Sequence, residues 1–153
     1  VKILIIEDVQ SKFDEVRSII VSVFPGLHTF QRAFNLNEAE DAVMMPGWDL
    51  VIVDLSMDIN GSGAMQGAGH ATLGGLDVLE RMALFKIAHP TIVVTGFDSF
   101  QDPDRFDNAI MNLADISGLA SDWLGKSYIG SVRYGAANWN RKFSRMLQQW
   151  SGS

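Results

Sequence analysis

Three short runs of consecutive apolar residues mark the chain: Ile3-Leu4-Ile5-Ile6, Leu50-Val51-Ile52-Val53 and Ile92-Val93-Val94. Unbroken β-branched runs of this length suit strands buried on both faces. Between them the apolar positions change to helical spacing. Phe13, Val16, Ile20 and Val23 form one stripe over Gln10 to Phe24, closed by Pro25-Gly26. His28 to Phe34 reads as a second strand. A helix opens at Asn35-Leu36-Asn37-Glu38 and ends near Met45, before Pro46-Gly47. Leu76 to Phe85 is predicted helical, as is most of Pro103 to Leu124, where Phe106, Ile110, Leu113 and Ala114 make an apolar stripe. Tyr128 to Val132 is the last predicted strand and Ala136 to Trp150 the last helix.

Strands and helices alternate five times, so the predicted class is α/β, with a doubly wound parallel sheet covered on both faces. In such sheets chemistry gathers beyond the carboxyl ends of the strands. With 153 residues the chain is expected to form one domain, residues 1–153. Ser56 to Gly75 interrupts the alternation with six glycines and little apolar material, and reads either as a functional loop or as a tolerated surface insertion.

Composition narrows the function classes. The net charge of −6 leaves no electrostatic footprint for nucleic acid or an anionic membrane. Without cysteine there is no disulfide framework, thiolate metal site or Cys nucleophile. No apolar run is long enough to span a bilayer, so a soluble cytoplasmic protein is expected.

The candidate chemistry lies where the strands end. The first ends in Glu7-Asp8, the third in Asp54 and the fourth in Thr95, which a parallel sheet brings to one edge. Carboxylates that close cannot all remain ionised without a compensating cation. An all-oxygen set suits a hard divalent ion such as Mg²⁺. Mg²⁺ beside a carboxylate nucleophile is an arrangement for phosphoryl transfer, with the Thr95 hydroxyl placed to donate to a phosphoryl oxygen. The bland alternative is that acids end strands because the chain there turns into solvent.

Ile3 to Asp8, Asp49 to Met57, Gly75-Leu76-Asp77-Val78-Leu79 and Ile92 to Gly96 resemble the receiver domain of two-component response regulators. The resemblance implies a flavodoxin-like five-stranded sheet of order 2-1-3-4-5. It implies that Asp54 accepts a phosphoryl group from a histidine kinase or phosphotransfer partner. Asp8 would bind Mg²⁺ directly with help from Glu7, the Ser56 backbone carbonyl would complete the protein ligands, and Thr95 would contact the phosphoryl group and report it to a downstream protein still unknown.

Three features depart from that family. Its last strand ends in Lys, commonly before Pro, whereas here the strand reads Tyr128-Ile129-Gly130-Ser131-Val132-Arg133-Tyr134. The lysine position falls on Ser131 or, with the register slipped by two, on Arg133, whose planar fork is not a conservative replacement for an ammonium; Lys126 precedes the strand and fits less well. The glycine-rich segment separates Asp54 from Gly75 and carries His70, which reads as a solvent-facing loop histidine. The stretch Phe97 to Ser127 is longer than the family's fourth unit; Trp123, Trp139 and Trp150 are expected to belong to the core or to an aromatic output patch.

Three readings compete. The first is a Mg²⁺-dependent phosphoacceptor, either stand-alone or excised from a longer protein. The second is a degenerate pseudo-receiver that binds protein without phosphorylation. The third is an aspartate-nucleophile phosphatase, but Ser56 stands where the second acid would be, with Asp58 four positions from Asp54. No P-loop, Gly-x-Ser-x-Gly elbow or His-Glu-x-x-His helix is present.

Overall fold

The computed structural model describes residues 1–57, 73–107 and 109–151. Five strands form the main sheet: β1 (Lys2–Ile6), β2 (Thr29–Ala33), β3 (Leu50–Val53), β4 (Thr91–Thr95) and β7 (Tyr128–Arg133). Their order is β2-β1-β3-β4-β7, and every pair is parallel. This is the order expected, with β7 in the fifth place.

Side-chain alternation explains why the inner strands are apolar throughout. Leu4, Ile6, Val51, Val53 and Val93 enter one core, under α2 (Leu36–Val43), α3 (Gly74–Leu84) and α5 (Leu113–Leu124). Ile3, Ile5, Leu50, Ile52, Ile92 and Val94 enter the other, under α1 (Gln10–Val23) and α6 (Trp139–Ser151). With helices on both faces, Ile3 to Ile6 of β1 and all of β3 and β4 are shut off from water, and each fully buried Ile, Leu or Val contributes roughly 1.5–3 kcal/mol. Trp123 packs against the first core, and Trp139 and Trp150 against the second.

Register brings the strand ends together. Ile6 pairs with Val53, and Val53 with Val93. The ladder runs one residue further at the edge, where Asp54 N donates to Ile6 O at 3.0 Å and Glu7 N to Ala33 O at 2.9 Å. Gly75 seats the start of α3 against this edge. A Cβ there would lie 2.2 Å from the Asp54 carbonyl oxygen, so only glycine allows the approach.

The stretch expected to be mostly helical is built differently. β5 (Ser99–Gln101) and β6 (Ile110–Asn112) form an antiparallel pair around α4 (Pro103–Phe106), and the long helix starts only at Leu113. Asp107 takes φ +53°, which ends α4 after one turn. Asn112 then opens α5 with a capping box, its side chain accepting from Asp115 N while the Asp115 carboxylate accepts from Asn112 N. The predicted stripe therefore breaks: Ile110 is exposed on β6, and Phe100 of β5 is the residue buried in the core. Of the glycine-rich segment, 58–72 lies outside the described residues, and with it His70 and Asp58.

Candidate functional site

Glu7 and Asp8 follow β1, Asp54 follows β3, and Thr95 ends β4. One carboxylate oxygen from each of Glu7, Asp8 and Asp54 lies within 4.8 Å of the others. Glu7 and Asp54 are nearly inaccessible, while Asp8 is half-buried. Arg32 on β2 fixes the acid pair by its backbone. Its Nε donates to the Glu7 carbonyl at 3.0 Å and its Nη2 to the Asp8 carbonyl at 2.9 Å. The Phe13 and Phe34 rings lie 5.5 and 5.4 Å from the guanidinium carbon.

Among the described residues, the donors to Asp54 meet on one oxygen. Ser56 N and Ser56 Oγ donate to Oδ1 at 3.1 and 2.8 Å, which turns the backbone sharply just past the strand. Ser56 thus supplies a side-chain bond that the sequence reading, concerned with its carbonyl, did not foresee.

The third group on Oδ1 is the Lys12 ammonium, at 3.3 Å. Lys12 belongs to the first turn of α1 and is 6% exposed. Its Nζ also lies 2.7 Å from Glu7 Oε1 and donates to the Val94 carbonyl at 2.8 Å. The Tyr134 ring stands 5.4 Å from it, held through a hydrogen bond from Tyr134 Oη to Glu15. Sequence reading passed over Lys12, although a signal was present: Lys12, Val16 and Ile20 recur at intervals of four and share the buried face.

Burial, then the charge of Asp54, pushes the Glu7 carboxyl up to about 8 against the opposing pull of Lys12. One ammonium does not fully compensate the carboxylates gathered here, and a further cation would relieve the corner.

The remaining expected residues lie around this centre. Thr95 is wholly buried, and among the described residues its Oγ1 has no hydrogen-bond partner. A hydroxyl left so costs stability unless something arrives to accept from it. Arg133 sits beside Thr95 in the sheet register, but it is exposed and forms none of the ion pairs among the described residues. Ser131 bonds the Tyr128 hydroxyl, which also meets Ser117 on α5. Lys126 is exposed in the turn before β7. The cation beside Asp54 comes from α1 and not from the last strand.

The all-oxygen donors Glu7, Asp8 and Asp54, with the unpartnered Thr95 hydroxyl at the same sheet edge, fit a hard divalent ion and an oxyanion. No helix among the described residues is long and apolar enough to cross a membrane.

No protein-family model and no curated protein sequence matches the chain. Solved structures do. A CheY-like response regulator receiver domain from Methanospirillum hungatei JF-1 is 14% identical at TM-score 0.58, covering 99% of this chain and 96% of that one. The signal receiver domain of a DNA-binding response regulator from Colwellia psychrerythraea 34H is 19% identical at TM-score 0.62, covering 99% and 98%. A signal receiver domain of a two-component histidine kinase from Clostridium thermocellum is 13% identical at TM-score 0.62, covering 97% and 95%. At these identities the likeness is one of fold, and it spans essentially the whole length: the chain has the fold of response regulator receiver domains.

Proposed function

We propose that the chain is a phosphoacceptor module of phosphorelay signalling, taking its phosphoryl group on Asp54 from a histidine kinase or phosphotransfer partner and passing the signal to a downstream protein. The observation that carries this reading is the meeting of Glu7, Asp8 and Asp54 at one edge beside a buried, unpartnered Thr95 hydroxyl. In the transfer, an Asp54 carboxylate oxygen forms a bond to phosphorus as the donor's P–N or P–O bond breaks. The leaving group keeps that electron pair. Glu7, Asp8, Asp54 and the Ser56 carbonyl would hold Mg²⁺, which when bound supplies positive charge against the incoming phosphoryl oxygens. Ser56 orients Asp54 through its two bonds to Oδ1, and Thr95 donates its free hydroxyl to a phosphoryl oxygen. Such a module is not a classical enzyme, because it catalyses at most its own modification and its hydrolysis.

The test is incubation with Mg²⁺ and acetyl phosphate, read by intact mass. Wild type should gain one phosphoryl group, and Asp54→Asn should gain none. A second reading, an interaction module without phosphorylation, is favoured by the rebuilt segment between β4 and α5. It predicts no mass gain for wild type under the same conditions.

A further inference from the structure

Lys12 is an unusual resident of an apolar helix face. Removing an ammonium from water costs several kcal/mol, and a structural ion pair at such a place is commonly replaceable by packed hydrocarbon without loss. An ammonium has three donors, and here each meets one acceptor: Glu7 Oε1 at 2.7 Å, Val94 O at 2.8 Å and Asp54 Oδ1 at 3.3 Å. The two shorter contacts go to groups that phosphorylation leaves unchanged. The longest goes to the carboxylate that phosphorylation would alter.

The geometry points to Lys12 as the cation that binds the phosphoryl group on Asp54, delivered by α1 in place of a lysine from the last strand. This rests on the reading of Asp54 as the phosphoacceptor. Glu7 and the Val94 carbonyl anchor the ammonium while its third donor follows the charge from carboxylate to phosphoryl oxygen. Esterification replaces the single negative charge of Asp54 with a group carrying roughly −1.5 to −2, so the attraction grows in the modified state. Neither candidate of the last strand competes for the role: Ser131 is bonded to Tyr128, and Arg133 is exposed. Toward Mg²⁺ the effect of Lys12 is the opposite. Its ammonium shares Glu7 and Asp54 with the ion and repels it, so the same side chain should weaken the metal and strengthen the phosphoryl group.

Those opposed effects make the test. Mg²⁺ affinity of the whole chain is measured by calorimetry, and beryllofluoride affinity is measured at saturating Mg²⁺, for wild type, Lys12→Met and the exposed control Lys126→Met. Lys12→Met should bind Mg²⁺ several-fold more tightly and beryllofluoride about tenfold or more weakly, the loss expected for one charge-assisted hydrogen bond. Lys126→Met should match wild type. Equal weakening of both ligands, or no change in either, overturns the inference. If wild type binds neither ligand, the phosphoacceptor reading itself fails and takes this inference with it. Should Lys12→Met not fold, the ¹⁵N resonance of the Lys12 ammonium is followed in wild type. It should move when beryllofluoride is added to the Mg²⁺-saturated protein, and a stationary signal overturns the assignment.

Discussion

Two clusters of charge, one beneath α1 and the other on α3 across the sheet, are built in opposite ways. At the edge of β1 and β3, Lys12 is sealed between Glu7 and Asp54, all three nearly inaccessible. On the helical layer, Arg105 reaches from α4 to Asp77 and Glu80 on α3 and to Asp102 beside it, with the Glu80 side chain 42% exposed. The Arg105 guanidinium also stands 5.7 Å from the Trp123 ring. In the open cluster water screens the charges, a planar fork satisfies several carboxylates at once, and the result is a clasp holding the β5–β6 hairpin to the domain. In the sealed one, charge cannot be screened and is met by a buried counter-charge or by a proton, as at Glu7. A clasp of the first kind adds a little stability, whereas a corner of the second kind stores a demand for cations that a ligand can meet.

The sharpest break in the comparison is to remove each cation. Lys12→Met, in EDTA at about pH 9, where Glu7 is largely ionised in wild type, should lose about 3 kcal/mol, the low end of the range for breaking a buried pair because Glu7 can then take up a proton. Millimolar Mg²⁺ should return much of that loss in urea melts. Arg105→Met should lose only about 1 kcal/mol, more at low salt than at high, with no recovery on adding Mg²⁺. Equal losses for the two, or Mg²⁺ rescue of both, would show that the two clusters do not differ in kind.

Between these lies the backbone contact that seats α3 against the site. Gly75→Ala should cost about 2 kcal/mol through overpacking against the Asp54 carbonyl, and it should lower acetyl phosphate labelling along with the melting temperature. A melting temperature equal to wild type would show that α3 does not lean on this edge.

Thr95→Val sharpens the sealed side. Its isosteric methyl removes the unpartnered hydroxyl, so the metal-free protein should gain about 1 kcal/mol while beryllofluoride binding weakens. A loss of stability instead would mean that Thr95 already has a partner.

The smallest effect belongs to the clasp and to pH. The Arg105 hydrogen bond, first, and its charge hold the Glu80 carboxyl below its ordinary value of 4.5. A depressed folded value means that the contribution is fully present above 4.5 and is lost as pH falls through the folded value. The difference in melting temperature between wild type and Glu80→Gln should therefore be constant from pH 7 to pH 5 and shrink on further acidification. A difference that does not change with pH would detach Glu80 from the clasp.

How far these features could be read in advance follows from how local their causes are. The strands were legible because unbroken apolar runs have few other uses, and Glu7, Asp8, Asp54 and Thr95 were legible because they terminate those runs. The β5–β6 hairpin was not. Three-residue strands carry no usable periodicity, and Phe106, Ile110 and Leu113 mimic a helical stripe although Ile110 faces solvent. What decides that segment is the burial of Phe100 and the left-handed Asp107, neither of which its neighbours announce.

Sequence alone determined the alternation of strand and helix and the acids that end the inner strands, because each of these depends on patterns within a few residues; the order of the strands came only with the resemblance to receiver domains. Only the tertiary structure decided which cation stands beside Asp54. Lys12 is remote from Asp54 and Val94 along the chain, and its place depends on how α1 rolls against the sheet. In one dimension the missing lysine of the last strand looked like a loss; in three, an ammonium from another element occupies the corner, because electrostatics registers distance and burial and is indifferent to which strand or helix carries the charge.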